Sequence, residues 1–195
     1  MIAIVNYGVG NIRSVVNALQ RAGVADPVLT SNKKLLLQAE KIVLPGVGDA
    51  SCAMSALRDC DLAGFIPSLK QPVLGICVGM QLMCRHSQEG NVDCMGIFDT
   101  NVVKFTPQPK LKIPHMGWNA ITNLKSSLFD GVSEGSFLYY VHSYYPELCQ
   151  DTIAVSEHGC LFSGALSNKN FYGTQFHPEK SGEVGAVILK NFLAL

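Results

Sequence analysis

Short, continuously apolar segments that alternate with amphipathic segments are the feature that most constrains the fold of this chain. The apolar segments lie at residues 2–6, at residues 41–44 and in "PVLGIC", which ends at Cys77. Between them, "IRSVVNALQRAG", which stops at Gly23, and a stretch from about Ala50 into "LRDCDLAGFIPSL" predict helices. Strands that are apolar throughout are buried on both faces, so this half of the chain predicts a parallel sheet covered by helices.

The second half of the chain has a different pattern. The segments "VVKF", "HMGWNAIT", "FLYYVHSYY", "IAVSEHG" and "FYGTQFHPE" are rich in β-branched and aromatic residues and predict strands. "GMQLMCRHS", directly after Cys77, and "GEVGAVILKNFLAL", near residue 195, predict helices. We therefore expect an α/β fold with a single domain over residues 1–195. Its doubly wound, mostly parallel sheet is flanked by helices, with additional antiparallel strands in the C-terminal half.

Charge and cysteine content exclude several functions. Fifteen Lys and Arg balance 15 Asp and Glu, so no charge excess indicates a nucleic-acid or membrane partner. No apolar run has the length of a membrane span, and the N-terminal segment predicts a strand rather than a signal peptide. The seven cysteines are irregularly spaced and form no CxxC pair. This pattern favours reduced thiols in the cytoplasm over a disulfide framework or a metal site.

The turn around Cys77 is the first candidate functional feature. In "PVLGICVGMQ" an apolar strand leads directly into a helical segment, and a glycine stands two residues before and two residues after the cysteine. A strand that turns directly into a helix thrusts its turn residue outward and tolerates only small neighbours, as in the nucleophile elbow of hydrolases. The first N–H groups of the following helix favour a thiolate and can hold an oxyanion. The alternative is a structural cysteine between glycines that serve backbone packing.

A nucleophilic cysteine needs a base, and "QFHPEKS" offers one. His177 and Glu179 are two residues apart in a segment that Pro178 keeps out of a helix, so both side chains project to the same side. A carboxylate beside an imidazole fixes its tautomer and stabilises its cation. Cys77, His177 and Glu179 are therefore a candidate triad, although "HPE" taken alone also fits a polar surface turn.

The segment "GVGN" (residues 8–11) raises the question of a cofactor. It follows a strand and opens a helix, as dinucleotide-binding loops do, but Arg13 stands where the third glycine would be. We therefore expect no cofactor.

Together, "GICVGMQ" and "FHPEKS" resemble the class I, triad-type glutamine amidotransferases. "PGVGDA" (residues 45–50), "PHMGWN" (114–119) and "YVHSYY" (140–145) are similar to segments of the glutaminase subunits of imidazole glycerol phosphate synthases, which act in histidine biosynthesis. The similarity covers essentially the whole chain. One departure is Val78, where the family usually has leucine, but this residue would act through its backbone.

The resemblance implies a reaction and a set of roles. Cys77 would attack the side-chain amide of L-glutamine, His177 would move the proton, and Glu179 would orient His177. The oxyanion would lie against the backbone N–H groups of Val47 and Val78. The remaining substrate contacts that the resemblance implies are Gly46, Gly48, Gln81, Glu89, Ser143 and Tyr144.

The resemblance also implies a partner, because the chain has no segment left over to bind an ammonia acceptor. That partner is a cyclase subunit with a (β/α)8-barrel fold. Asn11, Trp118, Tyr139 and Lys180 would contact it. Trp118, the only tryptophan, fits either the protein core or an interface anchor.

Three alternatives stay open at this point. The chain could supply ammonia to a different acceptor enzyme, for example one that modifies a sugar. It could be a stand-alone cysteine hydrolase of γ-glutamyl or ester substrates. It could also be a binding protein that keeps the fold without catalysis, against which the complete Cys77, His177 and Glu179 set argues.

Overall fold

A seven-stranded mixed sheet lies at the centre of the structure, a computed structural model that describes residues 1–195. The strands are β1 (Ile2–Val5), β2 (Val28–Thr30), β3 (Lys41–Gly46), β4 (Val73–Cys77), β5 (His86–Ser87), β6 (Val92–Asp93), β7 (Asn101–Lys104), β8 (His115–Ala120), β9 (Phe137–His142), β10 (Tyr144–Pro146), β11 (Thr152–Glu157), β12 (Leu161–Asn168) and β13 (Phe171–Thr174). The helices are α1 (Ile12–Arg21), α2 (Lys33–Gln38), α3 (Ala50–Asp59), α4 (Val78–Gln81) and α5 (Gly182–Ala194), with short 3-10 turns at Ile66–Ser68, Ser127–Phe129 and Pro178–Lys180.

The strand order of the central sheet confirms the predicted architecture. The order is β11-β12-β13-β4-β3-β1-β2. The pairs from β13 through β2 are parallel, and β11 and β12 add antiparallel strands at one edge. All five residues of β4 are buried, as expected for a central parallel strand covered on both faces. The carboxyl ends of β3, β4 and β13 therefore meet at one edge of the sheet, where α/β proteins place their sites.

The helices begin and end where local chemistry directs them. Gly23 (φ +104) follows α1, and the N–H groups of Gly23 and Val24 bond to the carbonyl oxygens of Gln20 and Leu19, which satisfies the end of the helix. Asp49 caps α3, because its carboxylate accepts bonds from the N–H groups of Ser51 and Cys52.

Two smaller sheets carry much of the second half. One has the order β10-β7-β5-β6, and the other is the antiparallel pair β8–β9. In β8–β9 the register places His115 opposite His142 and Trp118 opposite Tyr139. No helix of the structure has the length and apolar character needed to cross a membrane.

The structure corrects three local predictions. The helix predicted for "GMQLMCRHS" is a single turn, α4, which starts at Val78, and the chain then turns so that His86 enters β5. The second predicted helix ends at Asp59, with a separate 3-10 turn at Ile66–Ser68. The predicted strand "FYGTQFHPE" ends at Thr174. The strand β12, which sequence patterning did not predict, pairs with both β11 and β13.

Candidate active site

Cys77 occupies a strained turn between β4 and α4. Its backbone has φ +54 and ψ −112, a region that non-glycine residues rarely adopt. A Cβ atom on Gly75 would lie 2.8 Å from backbone atoms of Gly79 and Met80, and one on Gly79 would lie 2.0 Å from the carbonyl oxygen of Leu44. The two glycines of "GICVG" are therefore required by close backbone approach, and the turn has the geometry of a nucleophile elbow.

The end of β3 runs directly beside this turn. Gly46 pairs with Cys77 in the parallel register, and a Cβ on Gly46 would lie 2.2 Å from the backbone nitrogen of Gly79. The hydroxyl of the buried residue Tyr7 donates a hydrogen bond to the carbonyl oxygen of Pro45 at 2.7 Å. The "PGVG" loop is thus held against the first turn of α4, where the N–H groups lack intrahelical partners.

His177 and Glu179 follow β13, the strand next to β4, and form a buried pair. The Nδ1 atom of His177 donates to Oε1 of Glu179 at 2.8 Å, and the two side chains are 2% and 1% exposed. Burial by itself would lower the pKa of His177, but the nearby sulfur of Cys77 and the hydrogen bond and charge of Glu179 raise that pKa to about 9. This surrounding favours an imidazolium whose second nitrogen, Nε2, is buried and without a partner in the protein.

Cys77 has a second polar neighbour, the buried residue Gln175. The Nε2 atom of Gln175 donates to Sγ of Cys77 at 3.6 Å, and the Sγ atom lies 3.9 Å from the carbonyl oxygen of Val141. The Oε1 atom of Gln175 accepts from Nε2 of Gln81 at 2.9 Å. The sulfur is therefore placed between the side-chain amide of Gln175 and the backbone carbonyl of Val141.

A cavity of about 310 Å³ opens above the sulfur. This volume is at the small end of the range for ligand pockets, about 300–1,000 Å³, and suits an amino acid. It is lined by Val47, Gly48, Cys77, Val78, Gln81, Glu89, Pro114, Val141, His142, Ser143, Tyr144, His177 and Lys180. Of the predicted catalytic and substrate residues, only Gly46 and Glu179 do not line it. Gly46 lies beside Cys77 in the sheet, and Glu179 is bonded to His177.

Two polar residues of the pocket are held by the backbone around them. The Nε2 atom of Gln81 donates to the carbonyl oxygen of Tyr144 at 2.9 Å, while its Oε1 atom accepts no bond from the protein. The Oε2 atom of Glu89 accepts from the N–H of Ala50 at 3.1 Å, at the start of α3. Burial raises the pKa of Glu89, and the bond from Ala50 opposes that increase. Both side chains thus present acceptor oxygens to the pocket.

The residues predicted to contact a partner lie at three places on the structure. Lys180 lies at the rim of the pocket with its Nζ atom 5.7 Å from the ring centre of Tyr139. Trp118, which is 55% exposed, lies edge-on to Tyr139 at 6.1 Å on the outer face of β8–β9. Asn11 precedes α1 and is outside the pocket. Trp118 is therefore not a core residue.

Sequence reasoning missed Gln175, Tyr7 and His142 as parts of the site. Gln175 stands two residues before His177, and residues two apart share a face in the strand that was predicted for this segment, so the "QFH" spacing contained a usable signal. The contacts of Tyr7 and His142 join residues far apart in sequence, which local patterns do not predict. No group of three or more His, Cys, Asp or Glu side chains is placed to hold a metal ion.

Comparison with known proteins identifies the family of this arrangement. Residues 3–195 match the family model described as "Glutamine amidotransferase class-I". The chain therefore belongs to the class I glutamine amidotransferases, and the predicted activity class is confirmed.

Among its curated relatives are proteins named "Imidazole glycerol phosphate synthase subunit HisH". That of Bacteroides fragilis is 54% identical over 100% of this chain and 99% of its own length. That of Pectobacterium atrosepticum is 45% identical, with the same coverage of each chain. A solved glutamine amidotransferase structure shares the fold with a TM-score of 0.76 at 13% identity, covering 100% of this chain and 98% of its own.

Proposed function

We propose that this chain is the glutaminase subunit of an imidazole glycerol phosphate synthase. The observation that carries the proposal is that Cys77 and His177 line one amino-acid-sized pocket, with Glu179 bonded to His177. The full-length similarity to HisH proteins supports the assignment to this synthase rather than to another amidotransferase. The substrate is then L-glutamine, and the site acts in the cytoplasm.

The first half-reaction forms a thioester. The thiolate of Cys77 attacks the amide carbon of glutamine, and the carbonyl oxygen becomes an oxyanion as the tetrahedral intermediate forms. His177, as imidazolium, gives its Nε2 proton to the leaving nitrogen, which departs as ammonia. The raised pKa of His177, about 9, suits a group that holds this proton at neutral pH. Its partner Glu179 fixes the tautomer by accepting the Nδ1 hydrogen.

The second half-reaction releases glutamate. Neutral His177 removes a proton from water, the hydroxide attacks the thioester, and Cys77 leaves as a thiolate. The backbone N–H groups of Val47 and Val78 stabilise the oxyanion in both steps, because both residues border the pocket next to the sulfur. Removing one such donor costs about 100- to 1,000-fold in rate in other acyl-transfer enzymes.

The polar ends of the pocket bind the amino acid part of the substrate. Glu89 and the free Oε1 atom of Gln81 accept hydrogen bonds from the α-ammonium group. Ser143 and Tyr144 also line the pocket and hold the α-carboxylate. Gly46 and Gly48 let the loop backbone approach the reacting amide.

Ammonia is lost unless an acceptor captures it, so the proposal includes a second subunit. That subunit is a (β/α)8-barrel cyclase, which binds the outer face of β8–β9 around Trp118 and Tyr139, together with Lys180 and Asn11. It adds the ammonia to a phosphoribosyl-formimino intermediate and releases imidazole glycerol phosphate and aminoimidazole carboxamide ribonucleotide. The exposed Met116 and Trp118, at 64% and 55%, provide the apolar area that such an interface needs.

Glutamine hydrolysis, measured with and without the cyclase and its nucleotide ligand, tests the proposal. We expect little hydrolysis by the chain alone, strong stimulation by the ligand-bound cyclase, and none in Cys77→Ala. A glutamine-analogue affinity label should modify Cys77 in the complex. Failure of the label to react with the complex would refute glutaminase activity.

Rescue of a histidine auxotroph that lacks its glutaminase subunit separates the remaining alternatives. Growth on medium without histidine supports the proposal. Cyclase-independent hydrolysis at full rate would instead indicate a stand-alone γ-glutamyl hydrolase. Hydrolysis without rescue would indicate a different ammonia acceptor, such as a sugar-modifying enzyme.

A further inference from the structure

Two histidines outside the triad form a buried pair, and one of them, His142, lines the pocket. His115 is 5% exposed and His142 is 7% exposed. The Nδ1 atom of His115 lies 2.9 Å from the Nε2 atom of His142, across the antiparallel pair β8–β9. The reaction described above uses neither ring.

The hydrogen bond between His142 and Tyr144, beside the pocket, fixes the direction of the bond between the two rings. The Nδ1 atom of His142 lies 2.7 Å from the carbonyl oxygen of Tyr144. A carbonyl only accepts, so Nδ1 of His142 carries a hydrogen. In a neutral ring Nε2 is then an acceptor, and the Nδ1 atom of His115 must donate to it.

The hydrogen bonds on the far side of His115, at Asn119, independently place the hydrogen of His115 on Nδ1. The Nδ2 atom of Asn119 donates to the carbonyl oxygen of Glu157 at 2.8 Å, and the Oδ1 atom of Asn119 accepts from the N–H of Ala120 at 2.8 Å. The Nδ2 atom is therefore a donor and faces Nε2 of His115 at 3.2 Å. Nε2 of His115 must accept, which again puts the hydrogen on Nδ1.

Only one protonation pattern satisfies both ends: two neutral rings, each protonated at Nδ1. An additional proton on either ring would set two N–H groups against each other. Burial, together with the charge of the neighbouring His158, lowers the pKa of His115 to about 4. Burial also lowers the pKa of His142 to about 3, with the bond to Tyr144 opposing the shift. Both rings are therefore neutral near pH 7.

The two ends of this series of hydrogen bonds have different surroundings. At one end the carbonyl oxygen of Tyr144 also accepts from Nε2 of Gln81, so the bond from His142 helps to fix the wall of the pocket. At the other end His115 and Asn119 alternate along β8 with the exposed residues Met116 and Trp118. Movement of β8 would therefore displace His115, and with it His142.

We propose that His115 and His142 are positioning residues that couple the exposed strand β8 to the glutamine-binding wall of the pocket. The identity of the ligand and of the partner rests on the proposed function. The rings act by holding the Tyr144 carbonyl, and through it Gln81, in the orientation that binds the amino acid.

The first test is the tautomer of each ring, measured by long-range ¹H–¹⁵N NMR on the full chain. We expect Nδ1–H for both His115 and His142 at pH 7. An Nε2–H tautomer or a protonated ring at either position would overturn the proposal. This outcome does not depend on whether glutamine is the substrate.

The second test compares two variants in a Cys77→Ala background, which binds glutamine without turnover. His115→Phe removes the donor to His142 and should weaken glutamine binding about fivefold, the typical effect of one lost hydrogen bond. His115→Asn keeps a donor at the Nδ1 position and should bind within about twofold of the parent. Equal weakening in both variants would mean that the ring only fills space and would overturn the proposal.

His158 provides a matched control. It stacks on His115 at 4.1 Å, but it bonds to the carbonyl oxygen of Lys112 and takes no part in the hydrogen bonds that link His115 to His142. His158→Gln should leave glutamine affinity unchanged. If His115→Phe does not fold, the single variants His115→Asn and Asn119→Asp are compared instead. Asn119→Asp places an acceptor opposite Nε2 of His115, so it should shift the His142 ring signals, whereas unchanged signals would overturn the proposal.

The third test concerns coupling to β8. Binding of the cyclase should shift the ¹⁵N signals of the His142 ring in the parent and in His158→Gln. The shift should be lost in His115→Phe, or reduced in Asn119→Asp. A cyclase that fails to bind the parent refutes the proposed function, whereas binding that leaves the His142 signals unmoved refutes the coupling.

Discussion

The glycines around Cys77 provide a graded test of how the nucleophile turn is built. Alanine at residue 79 would place its Cβ 2.0 Å from the backbone oxygen of Leu44, and alanine at residue 75 would place it 2.8 Å from backbone atoms of α4. At Gly173 the nearest atoms belong to the flexible side chain of Met80, at 2.3 Å. Gly64 has nothing within 4 Å and no positive φ.

These distances predict the order of the effects on the free energy of unfolding. Ordinary contact begins near 3.4 Å, so Gly79→Ala must separate β3 from α4 by more than 1 Å. It should cost more than about 3 kcal/mol, even though alanine gains up to about 1 kcal/mol in helix propensity. Gly75→Ala should cost about 1–3 kcal/mol and Gly173→Ala up to about 1.5 kcal/mol. Gly64→Ala should be neutral or stabilising by up to about 1 kcal/mol.

Urea unfolding of the four variants measures this series, and the rate of Cys77 alkylation reports on the turn itself. We expect alkylation to slow in Gly75→Ala and to stay at the parent rate in Gly64→Ala. If Gly79→Ala were as stable as Gly64→Ala, the close approach of β3 to α4 would not limit the turn. The need for glycine would then have to come from function alone.

Three further substitutions test individual contacts of the site. Gln175→Met removes the donor to Sγ of Cys77 while keeping the side-chain length. It should slow alkylation of Cys77 at neutral pH about three- to tenfold. An unchanged rate would show that the Gln175 amide does not stabilise the thiolate. Glu179→Gln should lower the pKa of His177 from about 9, seen by NMR titration. In the parent, the raised pKa stabilises the fold below pH 6.5, and this contribution is lost as pH rises through 9. The parent's urea midpoint should therefore fall over that range. The midpoint of Glu179→Gln should fall less, because only the contribution of Cys77 to the pKa remains. Trp118→Ala should weaken cyclase binding about 30-fold by titration calorimetry, and unchanged affinity would place the interface elsewhere.

The parts of the fold that local sequence patterns could predict are those whose determinants are local. The strand β4, the turn at Cys77 and the helix α1 each depend on apolar runs, small residues and a glycine within a few positions. Predicting the parallel sheet needed only the rule that apolar strands are buried on both faces. The helix predicted after Cys77 failed because its apolar residues are buried on all sides, so they did not distinguish a single turn from a longer helix.

The parts that could not be predicted depend on pairing across long sequence separations. The strand β12, "LFSGALSN", contains small and polar residues because it packs between β11 and β13 in the sheet, and it lacks simple alternation. Gln175 acquires its contact with Cys77 only through the parallel pairing of β13 with β4. The spacing in "QFHPE" indicated the triad, but the partner of its first residue is 98 positions away in the sequence.

The strand β9 connects the proposed catalytic site with the proposed partner surface. Its side chains alternate: Phe137 and Tyr139 point to the outer face, while Tyr140 and His142 are buried. The carbonyl oxygen of Tyr139 accepts the backbone N–H of His177 at 2.9 Å, so the proposed catalytic base is fixed to the strand whose outer face carries Phe137. A rigid displacement of β9 by a partner would therefore move the base and the pocket wall together. Because strand geometry has a period of two, the outer positions can change to suit a partner without altering the inner ones.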